Sequence, residues 1–170
     1  MDSGELRIEK NEKAAGREAL NDAELYEELG KLTKNPTERK ENIPFLSGLL
    51  SHGSVKIQAK ALWLPREAGL RDPEAVSGTV KEIAAFLSSP IALLRKRTIN
   101  ALGRIGRGEF SVIEPYWKDM FHSAEDEDAG VRHALIWASE NIASNTPDIY
   151  PLPRVPRVTC GSAAGESAIL

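Results

Sequence analysis

The sequence predicts an all-α protein in which about three helical hairpins stack into an alpha-alpha superhelix, with an extra helix on the N-terminal side. Apolar residues recur at the spacing of helix faces, the same apolar pattern returns every 37 residues, and short breaks divide each copy in two. Because one hairpin cannot bury both of its apolar stripes, neighbouring copies are expected to stack.

Three regions are predicted along the 170 residues. Residues 1–20 are rich in Glu and Lys and predict a flexible or helical N-terminal arm. Residues 21–145 predict the helical repeat domain, which opens with a helix from Asn21 to Leu32. Residues 146–170 hold four prolines and then a run of glycine, serine and alanine, which predicts a flexible tail.

The 37-residue register continues without an insertion over about a hundred residues. Its columns keep apolar or small side chains in all three copies, and they place Trp117 in the core. The columns begin with Ile43, Val80 and Trp117; they continue with Leu46, Ile83 and Met120, with Ile57, Leu94 and Val131, and with Ala68, Ile105 and Ile142.

Each copy reads as a helical hairpin with a turn in its middle. In the second copy a first stripe runs from Val80 to Leu87, a break follows at residues 88–90, and a second stripe begins at Leu94. Gly69 and Gly106, near the ends of second helices, are predicted to terminate them in a left-handed conformation.

One proline interrupts this pattern. Pro65 lies within the predicted second helix of the first copy, where it removes a backbone hydrogen bond. We therefore expect a kink near Trp63 or a helix break.

These residues resemble HEAT repeats, which are helical hairpins that form alpha-solenoids. The second copy matches best, with Ser89-Pro90 in the turn, Leu94-Arg95 at the start of the second helix and Ala101-Leu102-Gly103 towards its end. The resemblance covers about residues 42–145 and implies that Asp126, Arg95 and Arg132 make polar contacts between successive repeats. It also implies that the second helices line the concave surface.

Composition excludes several classes of protein. The length fits one domain, and no uncharged apolar run approaches the ~20 residues that span a bilayer. The first ten residues carry three acidic side chains and lack the apolar stretch of a secretory signal. We therefore expect no membrane association and a cytoplasmic location.

No catalytic or metal-binding pattern stands out. His52, His122 and His133 are not spaced as a zinc motif, and the acidic residues 125–128 lack the alternating ligands of a calcium loop. Cys160 has no neighbouring histidine that would lower its pKa. The sequence predicts a protein that is not an enzyme and that has no cofactor.

Charge concentrates in the middle of the chain. Residues 56–107 contain 10 basic and 4 acidic residues, although the whole chain has a net charge of −3. At ~100° per residue, the basic side chains of the helix after Leu94 fall opposite its apolar stripe. The predicted partner-binding residues of this groove are Lys60, Trp63, Lys96, Arg97, Asn100, Arg104, Arg107, His133, Trp137 and Asn141.

Two functions fit this groove. The first is a protein-protein interaction or adaptor module, a role that the HEAT resemblance favours, which binds an acidic or extended partner. The second is nucleic-acid binding, with phosphates on the basic side chains and bases stacked on Trp63 or Trp137. Some HEAT-like proteins are glycosylases of alkylated DNA bases or pigment-lyase subunits, but no carboxylate or tetrapyrrole site is identified here.

The same residues also fit less specific arrangements. Basic side chains are ordinary on a solvated helix face, and the two indoles can instead pack against the N-terminal helix or the tail. The tail, including residues 147–158, can itself occupy the groove. Because three hairpins are near the minimum for a stable stack, a terminal repeat can also self-associate.

Overall fold

The computed structural model describes residue 17 and residues 20–149, and every regular element in that part is helical. The all-α prediction is confirmed there. Residues 1–16, 18 and 19 of the predicted arm and residues 150–170 of the predicted tail lie outside the described residues. The α-helices are α1 Asp22–Lys34, α2 Pro36–Glu41, α3 Ile43–Gly48, α4 Val55–Arg71, α5 Pro73–Ser77, α6 Val80–Ala84, α7 Ala92–Gly108, α8 Glu114–Met120 and α9 Ala129–Ala143.

Helix α1 begins within one residue of the start that the sequence predicts. The Asn21 side chain accepts hydrogen bonds from the backbone N–H groups of Ala23 and Glu24, and the Glu24 carboxylate accepts one from the Asn21 N–H. This capping box satisfies donors that the first turn of a helix leaves free. Helix α1 packs against the core through the buried side chains of Leu25, Leu29 and Leu32.

Three helical pairs follow, α3 with α4, α6 with α7 and α8 with α9. Short 3-10 segments, Leu49–Ser51, Ala85–Ser88 and Phe121–Glu125, end the first helix of each pair. The long second helices lie side by side, with α7 between α4 and α9, and α1 packs on α4. This arrangement is compatible with an alpha-solenoid.

The helix contacts repeat with the 37-residue period. A Cβ atom on Gly69 would lie 2.5 Å from the Ile105 side chain and 3.0 Å from Val76. A Cβ on Gly106 would lie 2.6 Å from Ile113 and 3.1 Å from Ile142, which stand 37 positions after Val76 and Ile105. The sequence period therefore corresponds to one repeated packing unit.

The left-handed conformation predicted for Gly69 and Gly106 is wrong. Both glycines lie inside helices, and no glycine of the described residues has a positive φ. Because glycine has no Cβ, a neighbouring side chain can approach the helix backbone closely at these two positions. Close packing, and not helix termination, places glycine at these positions.

Pro65 does not break its helix. Helix α4 continues from Val55 to Arg71 with Pro65 inside it and buried. The ring removes the hydrogen bond to the Ala61 carbonyl, but the helix is held on both sides by α1 and α7. The predicted break is therefore absent.

The contact between turn and second helix that the HEAT resemblance implies is present between the second and third pairs. Arg95 on α7 donates two hydrogen bonds to the Asp126 carboxylate, at 2.7 and 2.8 Å, and a third to the Ser89 carbonyl. Arg132 donates to the Asp126 carbonyl at 2.7 Å.

Trp117 lies in the core, as its column of the repeat predicts. It is 7% exposed and packs between the rings of Phe110 and Phe121.

Candidate functional site

The basic residues of α7 lie on the side of the helix that faces away from the core. Lys96 is exposed and Arg97, Arg104 and Arg107 are partly exposed, whereas the apolar stripe from Leu94 to Ile105 is buried. Since α7 is the middle one of three adjacent second helices, these side chains stand at the centre of that layer.

A polar ladder crosses the layer at one repeat position. Glu67 on α4, Arg104 on α7 and Asn141 on α9 are separated by 37 residues each. The Arg104 Nε lies 3.5 Å from the Glu67 Oε1, and its Nη1 donates to the Asn141 Oδ1 at 3.4 Å. Arg107 donates to the same oxygen at 3.5 Å. The ladder therefore ties the three helices together and holds two guanidinium groups beside each other.

Five cationic side chains of α4 and α7 lie near one another, and we name them the basic strip. Its members are Lys60, Arg66, Arg97, Arg104 and Arg107. Within the described residues, the only carboxylate that pairs with the strip is Glu67, whose Oε1 lies 3.2 Å from the Arg66 Nε as well as near Arg104. Lys60, Arg97 and Arg107 form no ion pair in this part of the chain.

Burial and, to a smaller extent, neighbouring cations lower the pKa values of Lys60 and Arg66. Burial lowers the pKa of Lys60, and the charge of Arg97 lowers it further. Burial also lowers the pKa of Arg66, with Glu67 opposing the effect and Arg104 and Arg97 adding to it. The Nε atoms of Arg66 and Arg104 are buried and make no hydrogen bond within the described part. The charged forms of these groups are therefore incompletely compensated.

Trp63 lies within the basic strip. The Lys60 Nζ is 5.2 Å from the centre of its ring and the Arg66 Cζ is 4.6 Å from it. Both distances suit cation–π attraction. The indole thus holds two cations of the strip close together, and it is only partly buried.

A cleft of about 750 Å³ opens at one end of the strip, between α1, α4 and α7. Tyr26, Trp63 and Leu93 supply its apolar walls, and Lys60 and Arg97 line it as well. Lys60 and Arg97 therefore belong both to the cleft and to the strip.

The remaining predicted partner-binding residues do not belong to the basic strip. Trp137 is partly buried against the core, and Asn141 is buried, donating to the Trp137 carbonyl at 2.9 Å. Asn141 therefore positions arginines and is poorly accessible to a partner. Lys96 and His133 are exposed and Asn100 is partly exposed, without a hydrogen bond or ion pair that joins them to the strip within the described residues.

Sequence reasoning missed Arg66, Glu67, Tyr26 and Leu93. The repeat register held a signal for Glu67, because it aligns this carboxylate with Arg104 and Asn141. Arg66 follows Trp63 by three residues, which is the spacing of neighbours on a helix surface. Tyr26 lies outside the repeats, and therefore the comparison of repeats could not predict that it lies near the groove.

Among the described residues, no group of three or more His, Cys, Asp or Glu side chains is arranged to hold a metal ion. None of the helices in this part has both the length and the apolar character needed to cross a membrane. Comparison with known proteins gives no match to a family model, a curated protein or a solved structure.

Proposed function

We propose that the protein is a non-enzymatic interaction module that binds an acidic, extended segment of another protein along the basic strip. The observation that carries this proposal is the charge imbalance of the strip: within the described residues, Glu67 pairs with Arg66 and Arg104, and the other three cations have no carboxylate partner. A row of carboxylates from a partner would supply the missing counter-charges.

The guanidinium groups of the strip can pair with the carboxylates of such a segment. Arginine presents a planar fork of donors that suits bidentate pairing with a carboxylate. Burial has already removed part of the water from Lys60 and Arg66, which lowers the further desolvation cost when a partner arrives. Trp and Arg are also the residue types that most often dominate binding energy at protein interfaces.

A peptide fits better than a nucleic acid for two reasons. The chain as a whole carries a net charge of −3, which opposes a long polyanion outside the strip. In addition, a base stacking on Trp63 would compete with Lys60 and Arg66, which already occupy positions over its ring. Carboxylates meet the cations themselves and leave those ring contacts in place.

The test is the affinity of a labelled Glu- and Asp-rich peptide, measured by fluorescence anisotropy on the full chain. The double variant Arg97→Glu, Arg104→Glu should weaken binding at least tenfold, because reversing two charges lowers the net charge at the centre of the strip by four units. The matched control is Lys81→Glu, Lys118→Glu, which changes the same charge at exposed positions of α6 and α8. This control should weaken binding less than threefold.

Equal losses in the two double variants would show that only overall charge matters and would refute a specific strip. An oligonucleotide of matched charge provides the comparison between ligand classes. Tighter binding of the oligonucleotide, with a steep salt dependence, would refute the peptide proposal in favour of nucleic acid.

A further inference from the structure

The cleft between α1, α4 and α7 differs from the rest of the basic strip because large apolar side chains line it, beside cations of α4 and α7 and the α1 carboxylates Asp22 and Glu27. Tyr26 is 45% exposed and Leu93 is 42% exposed, and both line the cleft together with the partly buried Trp63. Large apolar side chains left in water at one concave place indicate a surface that gains free energy when it is covered.

Cations lie directly against these apolar walls. The Lys60 Nζ is 5.6 Å from the centre of the Tyr26 ring and 5.2 Å from that of Trp63, so that it sits near both aromatic groups. Arg97 also lines the cleft and forms no ion pair within the described residues. The carboxylates of Asp22 and Glu27 on α1 line the cleft as well. An occupant therefore fits when its apolar side chain enters the cleft and its negative charges lie on the side of Lys60 and Arg97, away from α1.

The helix geometry sets a spacing for the next charges. Arg104 follows Arg97 by seven residues, or ~10 Å along α7 at ~1.5 Å per residue. An extended peptide advances ~3.3 Å per residue. A chain whose apolar side chain enters the cleft beside Arg97 would thus bring a carboxylate to Arg104 about three residues further on.

We infer that the cleft is an anchor site for a large apolar residue of the acidic partner segment, with carboxylates about three residues from that anchor paired with Arg104. This inference rests on the proposed function and specifies the partner. The occupant is a segment of another protein, since residues 146–170 of this chain contain two acidic and two basic residues and offer no acidic block. The anchor contributes burial, and the carboxylates fix its register on the strip.

The experiment uses labelled peptides of identical composition with one leucine and a pair of glutamates one, three or six residues away. The full chain should bind the three-residue spacing at least fivefold more tightly than the other two. Replacing the leucine by serine should weaken binding at least tenfold, since the cleft then stays uncovered.

Protein variants test the cleft itself. The double variant Tyr26→Ser, Leu93→Ser should remove the preference for leucine over serine in the peptide. Both side chains are exposed, and therefore the fold does not depend on them. The control Ile136→Ser removes an apolar side chain that is 59% exposed on α9, outside the cleft, and should leave the preference unchanged.

The outcomes separate the two proposals. In one outcome, Arg97→Glu, Arg104→Glu weakens the binding of acidic peptides, but the leucine and its spacing have no effect on affinity. This outcome would overturn the anchor site and leave the proposed function standing. Acidic peptides that fail to bind at all, or that bind equally well after the charge reversal, would overturn both. A leucine preference that survives Tyr26→Ser, Leu93→Ser would overturn the assignment to this cleft.

Discussion

Replacing Gly103 by alanine tests whether α7 and α9 pack as closely as the structure shows. A Cβ on Gly103 would lie 2.5 Å from the Ala138 Cβ and 2.6 Å from the Ala138 Cα. Carbon atoms in contact normally lie ~3.5–4 Å apart, so that the helices must separate by about 1 Å. The Ala138 Cα belongs to the backbone, and no side-chain rotation can relieve this contact.

The expected change in the free energy of unfolding is the difference of two effects. Overpacking of this kind costs about 1–3 kcal/mol, and alanine gains about 1 kcal/mol over glycine as a helix former. The net loss should be about 0–2 kcal/mol, which at roughly 2–4 °C per kcal/mol corresponds to a fall of up to about 8 °C in the melting temperature for a chain of this size. Thermal unfolding followed by circular dichroism measures it.

Gly30→Ala is the matched control. Gly30 lies in the middle of α1, and a Cβ there would meet no other atom within 4 Å. This variant should gain about 0.5–1 kcal/mol from helix propensity alone. If Gly103→Ala stabilises the protein as Gly30→Ala does, then α7 and α9 are not in the close contact described.

Two further predictions concern buried or paired polar groups. Thr98 is fully buried and its hydroxyl makes no hydrogen bond within the described part. Thr98→Val should therefore raise the free energy of unfolding, measured by urea titration, by about 1 kcal/mol. A lower free energy of unfolding in this variant would contradict an unpaired, buried hydroxyl. Hydrogen bonds from Arg95 lower the pKa of Asp126, so the pair stabilises the fold above the usual aspartate pKa of about 4 and loses this effect as the pH falls through the lowered value. Accordingly Asp126→Asn should cost about 1 kcal/mol at pH 7 and progressively less in acid; a deficit that stays constant down to pH 2 would contradict the pairing.

The sequence predicted the elements whose signals are periodic or local. The stripe from Leu94 to Ile105 is buried, and α1 begins within one residue of its predicted start, because apolar spacing and capping side chains act within one helix. The all-helical architecture followed from the same signals. The HEAT resemblance itself remains a prediction.

What escaped prediction depends on contacts between elements. Helix α2 was not expected, and its Arg39 is buried because the guanidinium donates to the carbonyls of Leu32 and Thr33 at the end of α1. In a sequence, such an arginine looks like any solvated charge. Gly69 and Gly106 were misassigned for a related reason, since a missing Cβ serves a left-handed turn and a close helix contact equally well.

The candidate site also contains features that the sequence predicted and features that it did not. The outward face of α7 could be predicted, because it is the complement of the apolar stripe. The carboxylate that partly neutralises it, Glu67, comes from α4, and the exposed ring of Tyr26 comes from α1. Their positions depend on how separate helices pack, which the spacing within each helix does not encode.

The most direct test of the basic strip compares two variants that change its charge in opposite directions. Glu67→Gln removes the shared counter-charge of Arg66 and Arg104, and Arg104→Glu reverses one cation beside it. Calorimetric titration with one acidic peptide, on variants whose helical circular dichroism is retained, should show binding about threefold tighter for the first variant and at least tenfold weaker for the second. Equal affinities, or changes in the same direction, would contradict a strip that lacks negative charge.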